Sequence, residues 1–259
     1  MDIQQIRNAT IVVQYAGKKI LIDPMLAEKG TSPPFGPQIG FPDAPRQDQY
    51  NPMVSLPTSI DNITADLDAV IVTHLHLDHW DDAAIEALPK TIKLFVQNNE
   101  DAKVITDAGF TNVEVLKEDT MFGDIQFIKT KGEHGRGPLV EMAGQVCGVV
   151  FKHPSEKTLY LAGDTVWYEA VQETIETHKP EIIVVAGGDN QFLEGGSLVM
   201  GKDDIYEVYK AAPNAKIISN HMEAVNHWTL SREKLNRFSN EKGISGNILV
   251  PDDGQSYSF

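Results

Sequence analysis

The stretch His74-Leu75-His76-Leu77-Asp78-His79, here called the HxHxDH motif, places four side chains that can bind a metal ion within six residues. It follows the apolar run 69–73, which is typical of a buried strand. Side chains alternate along a strand, so strand geometry continued through the motif would point His74, His76 and Asp78 to one side. His79 falls out of step as the chain turns into the helix-like segment 80–88. The motif therefore predicts ligands at a strand end that can face two neighbouring metal positions.

The alternative interpretation of the motif is a polar run that begins a helix, with Asp78 as its cap. Three of the eight histidines of the chain lie within these six residues, which argues against that alternative.

Strand and helix patterns follow one another in an order that favours two packed sheets. Residues 10–15 and 18–23 flank a tight Ala16-Gly17 turn and predict a hairpin at one edge of a sheet. Strand-like and helical segments then alternate through both halves, with a seam predicted between residues 120 and 150. This order predicts an α+β fold, a four-layered αββα sandwich, in one domain over residues 1–259.

The segment 24–57 has a different composition from the rest of the chain. Its eight prolines rule out a regular helix or central strand over most of its length. Loops this long inside compact domains tend to be lids, binding loops or floppy insertions. Four apolar or aromatic side chains favour an ordered lid that selects the substrate: Phe35, Phe41, Tyr50 and Met53.

Three more residues that can bind a metal follow apparent strands: His134, Asp164 and His221. Strand ends at one edge bring side chains from distant parts of the sequence together, so we expect these residues beside the HxHxDH motif. The combined set exceeds what one tetrahedral ion requires, which indicates two ions. A plain turn-forming role is the alternative for Asp164, which follows Gly163.

Other polar residues are candidates for contact with substrate or for orienting a ligand. His227 rivals His221 as a ligand, but only His221 immediately follows its strand, so His227 is assigned to this outer group. Asp189 and Asn190 follow another strand and join it, with a plain loop as the alternative. Arg136 suits an anionic group, although a surface position is favoured.

Composition limits the classes of function. The net charge of −15 repels nucleic acid, and no basic run offsets it. No apolar run is long enough for a membrane helix, and the N-terminus lacks the pattern of a signal peptide, so a cytoplasmic location is expected. The single cysteine, Cys147, lies in an apolar strand pattern and is expected to be a buried structural thiol. A homo-oligomer is compatible with these features.

The four elements of this pattern, taken in order, resemble the metallo-β-lactamase superfamily of αββα metal-dependent hydrolases. They are the HxHxDH motif, His134, the turn at Asp164, and His221 after the last strand, and the likeness extends over essentially the whole chain. The resemblance implies that one metal is held by His74, His76 and His134, the other by Asp78, His79 and His221, with Asp164 as a bridge. The segment ending in Asp23-Pro24, Thr73 and the Met200-Gly201 turn look like the branch that contains L-ascorbate-6-phosphate lactonase.

The expected chemistry is hydrolysis by metal-bound hydroxide. Imidazoles and carboxylates bind Zn²⁺, the ion most expected here, and Mn²⁺, Fe²⁺ and Ni²⁺ also suit the set. Two ions can lower the pKa of a shared water towards about 7 and polarise the substrate oxygen. Asp78 is expected to orient or accept the proton of that nucleophile as well as to bind metal. The expected substrate is a small ester or lactone, anionic if it is phosphorylated.

Three other functions fit parts of the pattern. A phosphodiesterase or nuclease would use the same scaffold, although the net charge of −15 counts against nucleic acid. A redox diiron enzyme is disfavoured, because redox members of the resembled family usually have Glu where this chain has His76. A non-catalytic metal-dependent sensor or binding protein is disfavoured by the complete ligand set.

Overall fold

The computed structural model describes residues 1–259 and contains two seven-stranded sheets and a two-stranded one. Strands are numbered along the chain. The first sheet has the spatial order β16 (Ser256–Ser258), β1 (Asp2–Arg7), β2 (Thr10–Tyr15), β3 (Lys18–Ile22), β4 (Ala69–Val72), β5 (Lys93–Val96) and β6 (Val113–Val115). The second has the order β15 (Ile248–Leu249), β14 (Lys216–Asn220), β11 (Ile182–Ala186), β10 (Leu159–Leu161), β9 (Cys147–Lys152), β8 (Ile125–Lys131) and β7 (Thr120–Phe122).

Seven α-helices lie outside the sheets. In chain order they are α1 (Ile60–Thr64), α2 (Asp82–Ala87), α3 (Asn99–Asp107), α4 (Pro138–Ala143), α5 (Glu169–His178), α6 (Lys202–Ala211) and α7 (Arg232–Glu241). Side-chain caps fix several starts: Asp81, Asn98 and Ser231 each accept a hydrogen bond from the backbone of the first turn of α2, α3 and α7. None of the helices is long and apolar enough to span a bilayer.

The apolar core consists of three main clusters of buried residues. They arise because successive side chains of a strand point to opposite faces of its sheet. In β4, Ala69 and Ile71 pack between the sheets in a cluster of 20 buried residues that also contains Phe127 and Phe151 of the second sheet. Val70 and Val72 point the other way, into a cluster shared with α1, α2 and α3. A third cluster joins the outer face of the second sheet to α5, α6 and α7. The predicted four-layered αββα sandwich is confirmed.

Two details of the predicted order are wrong. The hairpin of β2 and β3 forms, but β1 pairs with β2 and β4 pairs with β3, so the hairpin lies inside the sheet. The edge strand on that side of the sheet is β16, which has only three residues and therefore shows no clear alternation of polar and apolar residues. The chain changes sheets at residues 116–119, just before the predicted seam, because the short strand β7 already belongs to the second sheet.

Cys147 is buried at the start of β9, as predicted. Its Sγ donates to the Thr73 carbonyl at 3.5 Å. Burial raises the pKa of the thiol to about 12, so the thiolate that a nucleophile needs is absent at neutral pH.

Candidate metal centre

The HxHxDH motif forms a turn and not a continued strand. β4 ends before the motif, and the backbone N–H of His79 donates to the His76 carbonyl at 2.9 Å. Alternation would point His74, His76 and Asp78 to one side only in a continued strand, and that condition is not met, because the strand ends before the motif. The motif supplies His74 and His76 to one group of candidate ligands, Asp78 and His79 to another, and His74 and His79 to a third that includes Asp164.

The first group of candidate ligands, here called the imidazole set, consists of His74, His76 and His134. One ring nitrogen of each lies within 4.8 Å of the others. His134 follows β8, and its Nδ1 donates to the Leu198 carbonyl at 2.9 Å, which leaves Nε2 free to bind a metal. His74 is oriented in a similar way, with Nδ1 3.2 Å from Thr73 Oγ1.

The second group, here called the mixed set, consists of Asp78, His79 and His221, whose ligand atoms also lie within 4.8 Å of one another. His221 directly follows β14, and its Nε2 lies 3.1 Å from Asp78 Oδ2 and 3.2 Å from His79 Nε2. Asn8 Nδ2 donates to Asp78 Oδ2 at 3.2 Å. Asn8 could not be predicted from the sequence, because a lone amide between two strands is common in turns.

Asp164 lies between the two sets. Its Oδ2 is 3.2 Å from His79 Nε2 and 3.3 Å from His221 Nε2 in the mixed set, and 3.7 Å from His134 Nε2 in the imidazole set. The side chain is buried, and it reaches this point because β10 ends at Leu161, just before the Gly163 turn. Asp164 is therefore within reach of ions held by either set.

Asp23 supports the mixed set and was given no role from the sequence. Its Oδ2 lies 3.0 Å from His79 Nδ1, and the same carboxylate accepts from the backbone N–H of Thr73 at 2.7 Å and from the Thr73 hydroxyl at 2.7 Å. The signal was present, because Asp23 directly follows β3, and β3 is the parallel neighbour of β4. A strand-end position alone does not distinguish a residue that binds metal from one that holds a ligand in place.

The imidazole set is electrically neutral at pH 7. Burial lowers the pKa of His76 to about 4, and the nearby His134 adds to the effect. Burial is also the main cause that holds the pKa of His74 and His134 below the ordinary value. Neutral imidazoles have a lone pair available for a metal ion.

The mixed set carries charge. Burial by itself would lower the pKa of His221, but the carboxylates of Asp164 and Asp78 outweigh it and raise the pKa to about 9. Burial is likewise outweighed at His79, whose pKa is raised by Asp164 and Asp23. Without metal, this region holds protonated imidazoles among ionised carboxylates, so protons occupy positions that a cation can take.

A cavity of about 210 Å³ opens onto both sets. Polar residues of its wall are His76, Asp78, His134, Asp164 and His227. Eight apolar residues complete the wall, namely Phe35, Phe41, Leu75, Leu77, Met142, Ala143, Phe192 and Leu198. No lysine or arginine lines the cavity, so any substrate there meets apolar side chains, members of the ligand sets, Asp164 and His227.

The Pro-rich segment contributes Phe35 and Phe41 to this wall and is held in place by one buried side chain. Asn226 Oδ1 accepts from the Phe35 backbone N–H at 2.8 Å and from Asn51 Nδ2 at 3.0 Å. Its Nδ2 donates to the carbonyls of Phe35 and Pro45 at 3.0 and 2.8 Å. The segment is therefore packed against residues near His221, in a position from which it shapes the cavity.

The residues expected around the metals divide in the structure. His227 lines the cavity, and its Nε2 lies 3.3 Å from Nδ2 of the buried Asn190. Asp189 does not reach the site, because its carboxylate accepts from Ser197 and Thr229 hydroxyls. Arg136 is exposed and pairs with Asp204 at 2.9 Å, which agrees with the favoured surface assignment.

Three buried polar atoms of the candidate ligands lack a hydrogen-bond partner; one is His221 Nδ1, and the other two test whether the residues suit metal. These two atoms are His74 Nε2 in the imidazole set and Asp164 Oδ1 between the sets. Unpaired buried acceptors are rare in folded proteins, and a cation satisfies both. Imidazole and carboxylate donors also match the preference of Zn²⁺ and similar divalent ions. The residues therefore fit metal ions.

Comparisons with known proteins agree with this geometry. A family model described as a beta-lactamase superfamily domain matches residues 18–222. The chain is 69% identical over its full length to the full length of the UPF0173 protein YddR of Bacillus subtilis. A crystal structure of isothiocyanate hydrolase from Delia radicum gut bacteria superposes with a TM-score of 0.94 at 44% identity, over 100% of this chain and 99% of that one. A possible metal-dependent hydrolase from Veillonella parvula superposes at 0.95 and 38%, with the same coverage.

Proposed function

We propose that this chain, which belongs to the beta-lactamase superfamily, uses two metal ions to hydrolyse a small uncharged substrate with an apolar substituent. The premise of the proposal is that the chain is a metal-dependent hydrolase of that fold. The observation that carries the proposal is the cavity. Its wall joins residues of both ligand sets to eight apolar side chains and contains no cationic side chain. Such a site suits an electrophilic carbon with an apolar tail.

The imidazole set would hold one ion and the mixed set the other, with Asp164 within reach of both. The ligand atoms form three overlapping groups, and the group of His74, His79 and Asp164 joins the imidazole set to the mixed set, which supports this assignment together with the reach of Asp164 Oδ2 to both sets. Divalent ions bound there would supply a hydroxide nucleophile at neutral pH and stabilise negative charge on the substrate.

Asp78 holds the proton of the attacking water. It lines the cavity, and although burial by itself would raise its pKa, His79 and His221 lower it well below the ordinary value. The carboxylate is therefore ionised and accepts a hydrogen bond. Asn8 fixes it by donating to Oδ2 at 3.2 Å, so it presents a defined acceptor beside the cavity.

Isothiocyanates are the substrate class that best suits the cavity. Their central carbon is electrophilic, they carry no charge, and their substituent can be wholly apolar. The cavity of about 210 Å³ exceeds the roughly 150 Å³ that accepts benzene in a protein interior, so a compact aromatic or alkyl substituent has room. The similarity to an isothiocyanate hydrolase at 44% identity supports this choice.

An uncharged lactone or ester is the second candidate, because its carbonyl carbon presents a comparable electrophile to the same wall. A phosphorylated lactone or a phosphodiester suits the site less well. Each brings negative charge into a cavity without lysine or arginine, in a chain whose net charge is −15. The apolar wall therefore favours the uncharged members of the ester class.

The test combines metal analysis with a substrate panel. Purified protein is expected to contain close to two divalent ions per chain and to consume benzyl and butyl isothiocyanate faster than an uncharged lactone. The lactone should in turn react faster than bis-p-nitrophenyl phosphate. Full metal content without turnover of any ester, isothiocyanate or phosphoester would favour a binding protein instead, and a preference for the phosphodiester would overturn the substrate assignment.

A further inference from the structure

His227 is a buried histidine in the cavity wall that belongs to neither ligand set. It lies between β14 and α7, and only 7% of its surface is exposed. Aromatic neighbours hold its ring: Phe35 meets it edge-on with ring centroids 5.0 Å apart, and Phe192 stacks on it at 5.9 Å. The ring is therefore fixed beside the space that a substrate occupies.

Asn190 sets the tautomer of this ring. Its Nδ2 donates to His227 Nε2 at 3.3 Å, which makes Nε2 the acceptor and leaves the ring proton on Nδ1. Asn190 is itself completely buried and anchored by its backbone carbonyl, which accepts from the Leu198 N–H at 2.8 Å. The backbone contact anchors Asn190 at the side of the cavity, whereas its side-chain Oδ1 has no hydrogen-bond partner.

His227 Nδ1 has no hydrogen-bond partner in the protein, although it is shielded from solvent. A buried N–H without an acceptor costs free energy, so such groups are rare unless a ligand completes them. Burial also lowers the pKa of His227 to about 3, so the ring stays neutral at pH 7. A neutral donor can stabilise charge on a substrate without adding charge to an apolar wall.

We propose that His227 Nδ1–H donates a hydrogen bond to the substrate atom that gains negative charge when hydroxide adds to the neighbouring carbon, and that Asn190 is a positioning residue for it. In an isothiocyanate, the new C–O bond forms as the electron pair of the C=N bond moves to nitrogen, or that of the C=S bond to sulfur. His227 stabilises that charge and keeps its proton. This role rests on the proposed hydrolysis.

The experiment compares two replacements of His227 in the metal-loaded enzyme. His227→Phe keeps a ring for packing against Phe35 and Phe192 but removes the donor, whereas His227→Gln keeps a donor. With benzyl isothiocyanate, we expect the Phe variant to lose about 100-fold in kcat with a smaller change in KM, as for loss of one oxyanion donor. The Gln variant should recover at least about tenfold of that loss. His153→Phe, a replacement outside the cavity, is the control.

Metal content and the pH profile separate the explanations. Both His227 variants should keep the metal content of the parent protein and the shape of its pH profile, because a donor that keeps its proton adds no titration. Equal activity of the Phe and Gln variants, or loss of a limb of the profile in both, would overturn the role of His227 as a neutral donor. Absence of turnover in the parent protein would instead overturn the proposed function.

Asn190→Leu tests the positioning role. Without the amide, His227 is free to change tautomer and rotate, so we expect kcat to fall about tenfold while the metal content is unchanged. If Asn190→Leu lowered activity in the His227→Phe background by the same factor as in the parent protein, the two residues would act independently and the positioning role would be wrong.

Discussion

The imidazole set and the mixed set differ in chemistry, although the same six-residue motif supplies two members of each. The imidazole set is neutral, and His76 and His134 line the cavity. In the mixed set, His79 and His221 are almost fully buried among three carboxylates. The difference indicates a division of labour, in which His76, His134 and Asp78 face the substrate, whereas His79 and His221 hold charge behind them.

Removal of Asp164 is the largest expected disruption, because this side chain reaches both sets. We expect Asp164→Ala to lose one of two bound ions and at least about 100-fold in hydrolysis, since metal stabilisation of the transition state is worth several kcal/mol. Metal analysis and initial rates provide the measurement. Asp107→Asn, an exposed carboxylate change on α3, is the control. Full metal occupancy and full turnover in Asp164→Ala would contradict the shared role.

Acidification should empty the mixed set before the imidazole set. In the metal-free protein the pKa of His221 is raised to about 9, so protons compete with the ion at every pH below that value. The pKa of His76 is lowered to about 4, so competition there begins only in strong acid. With one displaced proton, affinity for the mixed-set ion falls about tenfold per pH unit, and faster with two.

Dialysis of the loaded protein at a series of pH values, followed by metal analysis, measures this difference. The expected result is a loss of metal in two steps as the pH falls, with the first step absent in His221→Ala. Simultaneous loss of both ions in the parent protein would show that the two sets do not differ in proton competition.

Asp23 is the second difference between the sets. Only in the mixed set does a carboxylate contact the Nδ1 atom of a ligand histidine, that of His79. We expect Asp23→Asn to weaken the mixed-set ion by about 10–100-fold and to leave the imidazole-set ion in place. An asparagine can accept either from His79 and the Thr73 hydroxyl, which share Oδ2 of Asp23, or from the Thr73 backbone N–H, but it meets the other side with its amide. Metal titration of the variant measures the affinity.

Asp68→Asn is the matched control for Asp23→Asn. Asp68 lies just before β4, where it accepts from the Lys18 side chain and the Lys19 N–H, whereas Asp23 acts beyond the other end of that strand. Its replacement should leave both affinities unchanged. Equal weakening by the two variants would mean that the sheet, and not the contact with His79, is responsible.

Sequence predicted the members of both sets, because strand ends carry a strong pattern and each candidate follows an apolar run. It failed where the backbone leaves regular geometry. The turn in the HxHxDH motif, which separates Asp78 from His74, depends on a local hydrogen bond that alternation does not encode. Likewise, nothing in the composition placed Asn8 beside Asp78, since their contact joins residues 70 positions apart.

The layers of the fold were predictable for a similar reason. Runs such as 69–73 and 181–186 are long enough to show that both faces of a strand are buried, which requires helices on one side and a second sheet on the other. The position of β16 was not predictable, because three residues of mixed polarity give no period. Asp189 was misplaced because a strand end predicts proximity to an edge but not the direction of a side chain.

Replacement of Asn226 is expected to have the smallest effect on the metal centre. It therefore tests the cavity wall independently of the metal ions. Its side chain joins Phe35, Asn51 and Pro45 in the Pro-rich segment and touches neither ligand set. We expect Asn226→Ala to reduce the free energy of unfolding by about 2 kcal/mol, because it leaves buried donors without partners. The released Phe35 should raise KM for benzyl isothiocyanate about tenfold, as expected for loss of about 1.4 kcal/mol of uniform binding.

The metal content of Asn226→Ala should equal that of the parent protein, and kcat should change less than KM, since the wall binds the substituent and not the reacting carbon. Asn62→Ala, on the exposed surface of α1, is the control. An unchanged KM would show that the Pro-rich segment is a fixed cover with no part in substrate selection. Loss of metal would show that the segment supports the ligand sets directly, because a wall that only binds substrate has no effect on the ions.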